Sequence, residues 1–320
     1  MGWRPDPAPL SGPARATVDD VDALNRVFAD AFTDRYRRDG MSGMRVPFLN
    51  PMIWRYAIED SGEGALLWRD EAGKVAAFNM VHRSGSEGWM GPLAVRPDRQ
   101  GHGEGRRIVQ AGIDWLHHHQ VRTLGLETMP RTADNIGFYT ALGFEPGRLT
   151  VTVLKEVSRR PPEPLCLSGA GPRRAELLEG CRVLTDALAP GVDFSREVEL
   201  TEQLALGDTV LIEGAAGVDA FALCHFAALA DAHASDEVRV LKLVARDDRG
   251  LDAALAGAAW LAHREGLHRV GVRCQTSFTD AFRRLVTGGW TVHWTDLRMT
   301  LAGLPERSVS AGVVWSNWEI

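Results

Sequence analysis

The sequence predicts a duplicated α/β (α+β) fold: two domains of similar length, then a short tail. Three observations carry this. A Pro-rich break at 158–164 (SRRPPEP) stops helix and sheet alike and divides the 320 residues near their middle. Before the break, helical periodicity gives way to strand alternation and then to a β-α-β-α-β order. After it, landmarks of the first part recur in the same order.

The elements of the first part follow from spacing. Val21, Leu24, Val27, Phe28, Ala31 and Phe32 repeat at helical intervals, which predicts a helix over 18–32 capped by Thr17 or Asp19. A second helix is predicted over 51–58. Strands are predicted over 65–69 and 74–82, joined by the hairpin signal Asp70-Glu71-Ala72-Gly73, and over 88–95. Residues 103–118 read as a helix with Ile108, Ile113, Trp115 and Leu116 as apolar markers, and 123–128 as a strand. A short helix over 132–142 is stopped by Gly143, and 149–154 alternates as a last strand.

The second part repeats this frame. Leu93-Ala-Val-Arg-Pro-Asp98 corresponds to Leu243-Val-Ala-Arg-Asp-Asp248 at an offset of 150, and Trp115-Leu116 to Trp260-Leu261 at 145. RTLGL at 122–126 corresponds to HRVGV at 268–272, and Gly143-Phe144 to Gly289-Trp290, both at 146. The predicted domains are therefore 14–157 and 165–304, with 305–320 as a tail. The aromatic end of that tail (VVWSNWEI, 313–320) predicts that Trp315 and Trp318 dock on a body domain or on a second subunit.

Composition excludes several classes. With 45% apolar and 24% charged residues the chain is ordinarily globular, and a net charge of −6 leaves no basic footprint for nucleic acid or anionic membrane. No apolar run reaches the roughly 18 residues that span a bilayer, and residues 1–13 lack the apolar core of a signal peptide. Cys166, Cys181, Cys224 and Cys274 form no CxxC pair and read as reduced thiols, so the expected compartment is cytoplasmic. Consecutive His117, His118 and His119 point about 100° apart on a helix and share no face, so no metal site is expected.

The chemistry concentrates in VRPDRQGHGEG at 95–105, a strand that runs into a glycine-rich turn and then a helix. Gln100, Gly101, His102, Gly103, Glu104 and Gly105 bring free backbone N–H groups and a helix N-terminus to one place, the arrangement that receives a pyrophosphate. Arg99, Arg106 and Arg107 add positive charge. No Gly-Lys-Ser/Thr follows, so this is not a Walker loop. No β-α-β opening with a ribose-binding acid surrounds it, so it is not a Rossmann fingerprint either.

The frame Val-x-Pro-x-x-Gln-Gly-x-Gly-x-Gly, followed by a long helix, a strand and Asn135-Ile-Gly-Phe-Tyr-Thr-Ala-Leu-Gly-Phe144, resembles the GCN5-related N-acetyltransferase (GNAT) family. The resemblance implies two tandem GNAT domains, each a mixed, mostly antiparallel central sheet flanked by helices. It implies acetyl-CoA, or another acyl-CoA, in a V-shaped gap between the strands ending near Val95 and Thr128, with no metal. Leu93, Ala94 and Val95 would pair with the pantetheine arm, and Gln100 to Gly105 with Arg106 would cradle the pyrophosphate. Thr132, Asn135, Phe138 and Tyr139 would complete the cofactor wall. Thr132 stands where the family often has asparagine and can still cap the helix.

The same resemblance makes Tyr139 the general acid for the leaving thiolate. Glu127 is the first candidate base, acting through water, because LETMPRTADNIGFY resembles the ribosomal-protein alanine acetyltransferases in its Glu-to-Tyr spacing. Glu87 is the second candidate and His82 the third. The second copy has Asp248-Arg-Gly-Leu-Asp-Ala-Ala254 in place of the glycine loop and Leu285 in place of Tyr139. It is expected to be catalytically silent, and to cover sheet edges, complete the substrate pocket or dimerise. The acceptor side falls to the segment 36–48, with Tyr36 and Phe48, and to Met52, Trp54, His82, Trp89 and Met90, a mixture that suits a partly apolar amine. The expected function is acetyl transfer from acetyl-CoA to the primary amine of a small molecule. A protein or peptide N-acetyltransferase and a non-catalytic acyl-CoA-binding module are the alternatives.

Overall fold

The structure, a computed structural model, describes residues 8–158, 160–215 and 217–318. Arg159, within the expected linker, and residues 319–320 of the tail lie outside the described residues. The other linker residues carry neither helix nor strand.

In the first half the order is β1 (Ser11–Arg15), α1 (Val21–Arg38), α2 (Pro51–Ser61), β2 (Ala65–Arg69), β3 (Val75–Ser84), β4 (Glu87–Val95), α3 (Glu104–His118), β5 (Thr123–Thr128), α4 (Ala133–Thr140) and β6 (Phe144–Glu156). The second half runs β7 (Leu165–Cys166), α5 (Arg174–Leu188), α6 (Ser195–Gln203), β8 (Gly207–Gly214), β9 (Gly217–His225), β10 (Glu237–Ala245), α7 (Asp248–Arg264), β11 (Arg269–Gln275), α8 (Thr279–Thr287), β12 (Thr291–Leu301) and β13 (Val313–Ser316). The two halves thus repeat one order of elements, and β13 is added at the end.

Local chemistry explains most boundaries. α2 begins with Pro51 at its first position and with the Asn50 side chain accepting from the Met52 N–H at 3.0 Å. α7 begins with Asp247 accepting from the Gly250 N–H at 2.9 Å. Several elements run beyond the pattern reading, β6 among them, which spans Phe144–Glu156 rather than 149–154. α1 continues to Arg38, beyond the apolar stripe, on i,i+4 ion pairs that join Arg35 to Asp39 and Arg38 to Asp34. β1 carries no apolar alternation. It is an exposed edge strand on β2, a place where proline is tolerated.

Among the described residues, thirteen strands join one mixed sheet in the order β1-β2-β3-β4-β5-β12-β6-β11-β10-β9-β8-β7, with β13 on β10. Only β4–β5 and β10–β11 are parallel; the other pairs are antiparallel. The centre of the sheet shows an exchange. β12 of the second half pairs with β5 of the first, and β6 of the first half pairs with β11 of the second. Packing follows the exchange. Val151 and Val153 of β6 lie in the core of the second half, and Met299 of β12 in the core of the first. Ile53 and Tyr56 of α2 also pack into the second half.

Each half contains one opened seam. β4 pairs with β5 only from Glu87 to Met90, because an extra residue opposite Asn79–Val81 of β3 bulges β4 at Gly91-Pro92 and turns it away. β10 pairs with β11 only from Glu237 to Val240, and its bulge falls at Leu241. The seam in the second half is filled. Lys242 to Ala245 pair with Val313 to Ser316 of β13, and Trp315 is 1% exposed. The aromatic tail therefore docks on the body of its own chain.

The four cysteines are unpaired and buried. Burial pushes the thiols of Cys166 and Cys181 up to about 12. Among the described residues no helix is long and apolar enough to cross a membrane.

Candidate functional site

The open seam between β4 and β5 leads into a cavity of about 590 Å³. Its walls include Met90 to Val95 on one side of the seam and Leu126 to Met129 on the other. Gln100 and Gly105 stand at its mouth, and Asn135, Phe138 and Tyr139 of α4 close its flank.

The glycine turn is shaped to receive an anion. Gly101 and Gly103 have φ of +84° and +82°, a backbone region that side chains disfavour, and a Cβ at either would meet nothing within 4 Å. Glycine is thus required there by the backbone path, and the space above the turn is open. Gln100 does not reach outward: its amide donates to the Val95 carbonyl at 2.8 Å and ties the turn to the strand end. The N-terminus of α3 adds its dipole to the turn. These features fit the phosphate end of a CoA thioester, and the seam fits an extended chain laid beside β4.

Several residues assigned to the cofactor on sequence grounds have other partners. Glu104 is buried and accepts the Leu10 N–H at 2.9 Å while pairing with Arg107. It anchors the N-terminal segment. Arg99 is buried against Glu71 and the Ala8 carbonyl, and Arg107 also binds the Leu10 carbonyl. Arg106 and His102 are exposed beside the turn. Thr132 does not cap α4; its hydroxyl donates to Asp39 at 2.6 Å, which links α4 to the end of α1. Asn135 lines the cavity and contacts Thr128 at 3.4 Å.

Tyr139 lies at 6% exposure between the rings of Phe138 and Phe144. Burial raises its phenol above the ordinary range, so the proton stays on oxygen at neutral pH.

Glu127 faces the cavity in company. Arg298 donates to it at 2.8 Å, and Arg273 and the Thr150 hydroxyl bind it as well. Burial alone would raise its carboxyl, but Arg273 and then Arg298 outweigh burial and hold it below its usual range. Both arginines come from the second half. Glu87 sits at the closed end of the seam, opposite Thr123, and does not line the cavity.

His82 is buried beneath the bulge. One ring nitrogen faces Asp60 at 2.7 Å and the other the Gly91 carbonyl at 2.9 Å, so neither offers a lone pair to the cavity. The same contact pins the bulge that opens the seam.

On the acceptor side, Tyr36, Trp89 and Met90 line the cavity. Trp54 does not. It is a fully buried core residue of α2 whose indole donates to Asn25 at 2.7 Å. Phe48 is 42% exposed, and its carbonyl accepts from Asp231. Met52 packs against the second half's helices.

Sequence reading allowed that the second half completes the pocket but assigned none of its residues there; Leu229, Arg273, Trp294, Asp296 and Trp318 are on the wall. One signal was present. At the repeat offset of 146, Glu127 falls on Arg273 and Thr150 on Asp296, so a carboxylate in one copy is answered by a guanidinium in the other. Among the described residues, no three or more His, Cys, Asp and Glu side chains converge as a metal site.

Comparison with known proteins agrees with this geometry. Residues 24–144 match the acetyltransferase (GNAT) family. The chain is 39% identical over 72 residues to the ribosomal protein bS18-alanine N-acetyltransferase of Escherichia coli (strain K12), covering 22% of this chain. It spans about half the length of that relative, 49%. Among solved structures, a GCN5-related N-acetyltransferase from Sphaerobacter thermophilus superimposes with a TM-score of 0.58 at 18% identity, over 93% of this chain and 97% of that one. A tandem GNAT protein from the clavulanic acid biosynthesis pathway superimposes with a TM-score of 0.55 at 12% identity, over 92% and 98%. At these identities the structures speak for the fold alone.

Proposed function

We propose, because residues 24–144 match the acetyltransferase (GNAT) family, that this chain transfers the acetyl group of acetyl-CoA, or a related acyl group, to a primary amine of a small molecule by direct attack. The observation that carries this reading is one cavity continuous from the glycine turn, along the free edge of β4, to Tyr139.

When bound, acetyl-CoA supplies an activated acyl carbon. The chain's own residues do the rest. The free edge of β4 at Leu93 to Val95 takes the pantetheine arm as an added strand would be taken. The turn at 101–105 takes the pyrophosphate with backbone N–H groups. The acceptor amine would lose one proton to water before it attacks and its second as the C–N bond forms and the C–S bond breaks, and Tyr139 would protonate the departing sulfur. Glu127, engaged by two guanidiniums, is a weak proton acceptor; its role is to hold Arg273 and Arg298 in place. Domain limits of 14–157 and 165–304, with the tail from 305, suit this division of labour.

A peptide amine is the second reading, favoured by the similarity to the bS18-alanine N-acetyltransferase. The small-molecule reading is preferred because Trp294, Asp296 and Trp318 of the second half narrow the acceptor side, where a protein terminus needs an open groove. The test is native mass spectrometry with acetyl-CoA, followed by thiol release against panels of free amines and of N-terminal peptides. One acetyl-CoA per chain and turnover with free amines is the expected result. Absence of acetyl-CoA binding overturns the reading, and turnover with peptides only replaces the acceptor.

A further inference from the structure

The acceptor side of the cavity carries a carboxylate, Asp296, that the first half does not supply. Asp296 lies on the exchanged strand β12, lines the cavity and has a side chain 14% exposed. It accepts from the Trp294 indole at 3.2 Å and from Arg273 at 2.9 Å. Arg273 is shared: the same guanidinium also binds Glu127. Arg298 is shared in turn between Glu127 and Glu306. Three carboxylates thus meet two guanidiniums, which leaves one negative charge uncompensated in the network. On the wall itself, Arg35 pairs with Asp39, and Arg38 pairs with Asp34, which also takes Arg37.

The surroundings of Asp296 favour a cation. Tyr36 and Trp294, both partly exposed, border the same cavity, while the inner Trp89 already carries the Arg298 guanidinium over its ring at 3.8 Å. Burial raises the Tyr36 phenol, and the nearby charge of Asp296 raises it further, which places the two side chains within electrostatic reach. Burial likewise raises the Asp296 carboxyl, opposed by Arg273 and assisted by Glu127. A carboxylate strained in this way gains from any additional positive partner, and aromatic faces attract one.

We propose that Asp296 receives the acceptor amine as its ammonium ion, beside the rings of Tyr36 and Trp294, and that the amine gives one proton to water before it attacks, so that the substrate is a cationic alkyl- or arylalkylamine and its recognition is supplied by the second half. This rests on the acyltransfer reading given above. It gives the silent copy a function: β12 carries the recognition group across the exchange into the first half's cavity.

The test separates the two readings. Full-length protein, with and without CoA, is titrated calorimetrically with tryptamine, putrescine and the uncharged indole-3-ethanol. Wild type is expected to bind at least one of the two amines. Asp296→Asn is expected to weaken that binding by about 10-fold to 100-fold, the range for a charged hydrogen-bond partner, with indole-3-ethanol unchanged. Asp296→Glu, which keeps the ion pair with Arg273, is expected to restore part of the amine affinity. CoA affinity and melting temperature are expected to match wild type in both variants. Equal amine affinity in wild type and Asp296→Asn overturns the proposal, as does no amine binding, or an equal loss for amine and alcohol. Loss of CoA binding in wild type would instead fail the acyltransfer reading, while the amine titration still decides the role of Asp296.

Discussion

The seam between β4 and β5 and the seam between β10 and β11 begin alike and end differently. Both open behind a bulge in the fourth strand of their half. In the first, the free edge of β4 borders a cavity that reaches a glycine turn and a tyrosine. In the second, β13 pairs along the free edge and Trp315 fills the space. At the equivalent turn the second half has Asp247 capping α7, and Leu285 stands where Tyr139 stands. The difference teaches that an opened seam presents an unpaired strand edge, which a segment of the chain itself can take up. One copy leaves it for a ligand; the other closes it with its own chain.

The largest test is to empty the second seam. Trp315→Ala is expected to destabilise the protein by about 3–5 kcal/mol, as truncation of a buried tryptophan does, measured by urea unfolding. Acetyl-CoA stoichiometry should remain one per chain. A stoichiometry of two would break the comparison, since the tail would then be the sole barrier in the second copy.

Next in size is the chemistry of the first seam. Tyr139→Phe is expected to lower turnover by about 100-fold or more while acetyl-CoA affinity holds. The reciprocal Leu285→Tyr should add no activity, because no glycine turn accompanies it. Steady-state rates and calorimetric affinities check both.

A smaller effect is expected at the turns. Gly103→Ala forces a side chain into φ of +82° and should cost roughly 1–2 kcal/mol and weaken acetyl-CoA binding. Gly250→Ala, in the first turn of α7, should leave acetyl-CoA affinity unchanged. Equal losses of affinity in both variants would erase the asymmetry.

The smallest effect concerns two buried carboxyls, one in each half, that shift in opposite directions. Arg273 and Arg298 hold Glu127 low against burial, so its contribution is present above the ordinary carboxyl value and is lost as pH falls through the depressed one. Glu197 is pushed up to about 7, by burial first and then by Asp60. Its contribution is complete below its ordinary value of 4.5 and is lost as pH rises towards about 7. Melting temperature against pH should therefore fall less steeply on the acid side in Glu127→Gln, the part due to Asp39, Asp70 and Asp98 remaining, and flatten between these two values in Glu197→Gln.

Much of the first seam was legible because it is local. The glycine turn, the helix behind it and Tyr139 lie within one stretch whose residue types have backbone and proton chemistry of their own. The duplication was legible because it preserved order. What stayed hidden is non-local. β6 and β12 carry equivalent patterns in equivalent positions, and nothing in alternation tells a strand which half's neighbour to take. Once they exchange, Arg273, Asp296 and Arg298 reach a site that belongs by sequence to the other copy. Trp54 misled for a related reason: an aromatic on an amphipathic helix can face core or cavity with the same spacing, and the core holds it here.

The exchange also sets a schedule. As the chain leaves the ribosome, β1 to β6 emerge first, yet β5 has its outer neighbour only when β12 arrives, at residues 291–301 of 320. The half that carries the glycine turn and Tyr139 thus waits, with an unpaired strand edge, for nearly the whole protein to be made. A gene trimmed to its first half would encode β5 and β6 without the β12 that lies between them, whereas a nick in the connection at 157–164 would leave two fragments still laced through one another.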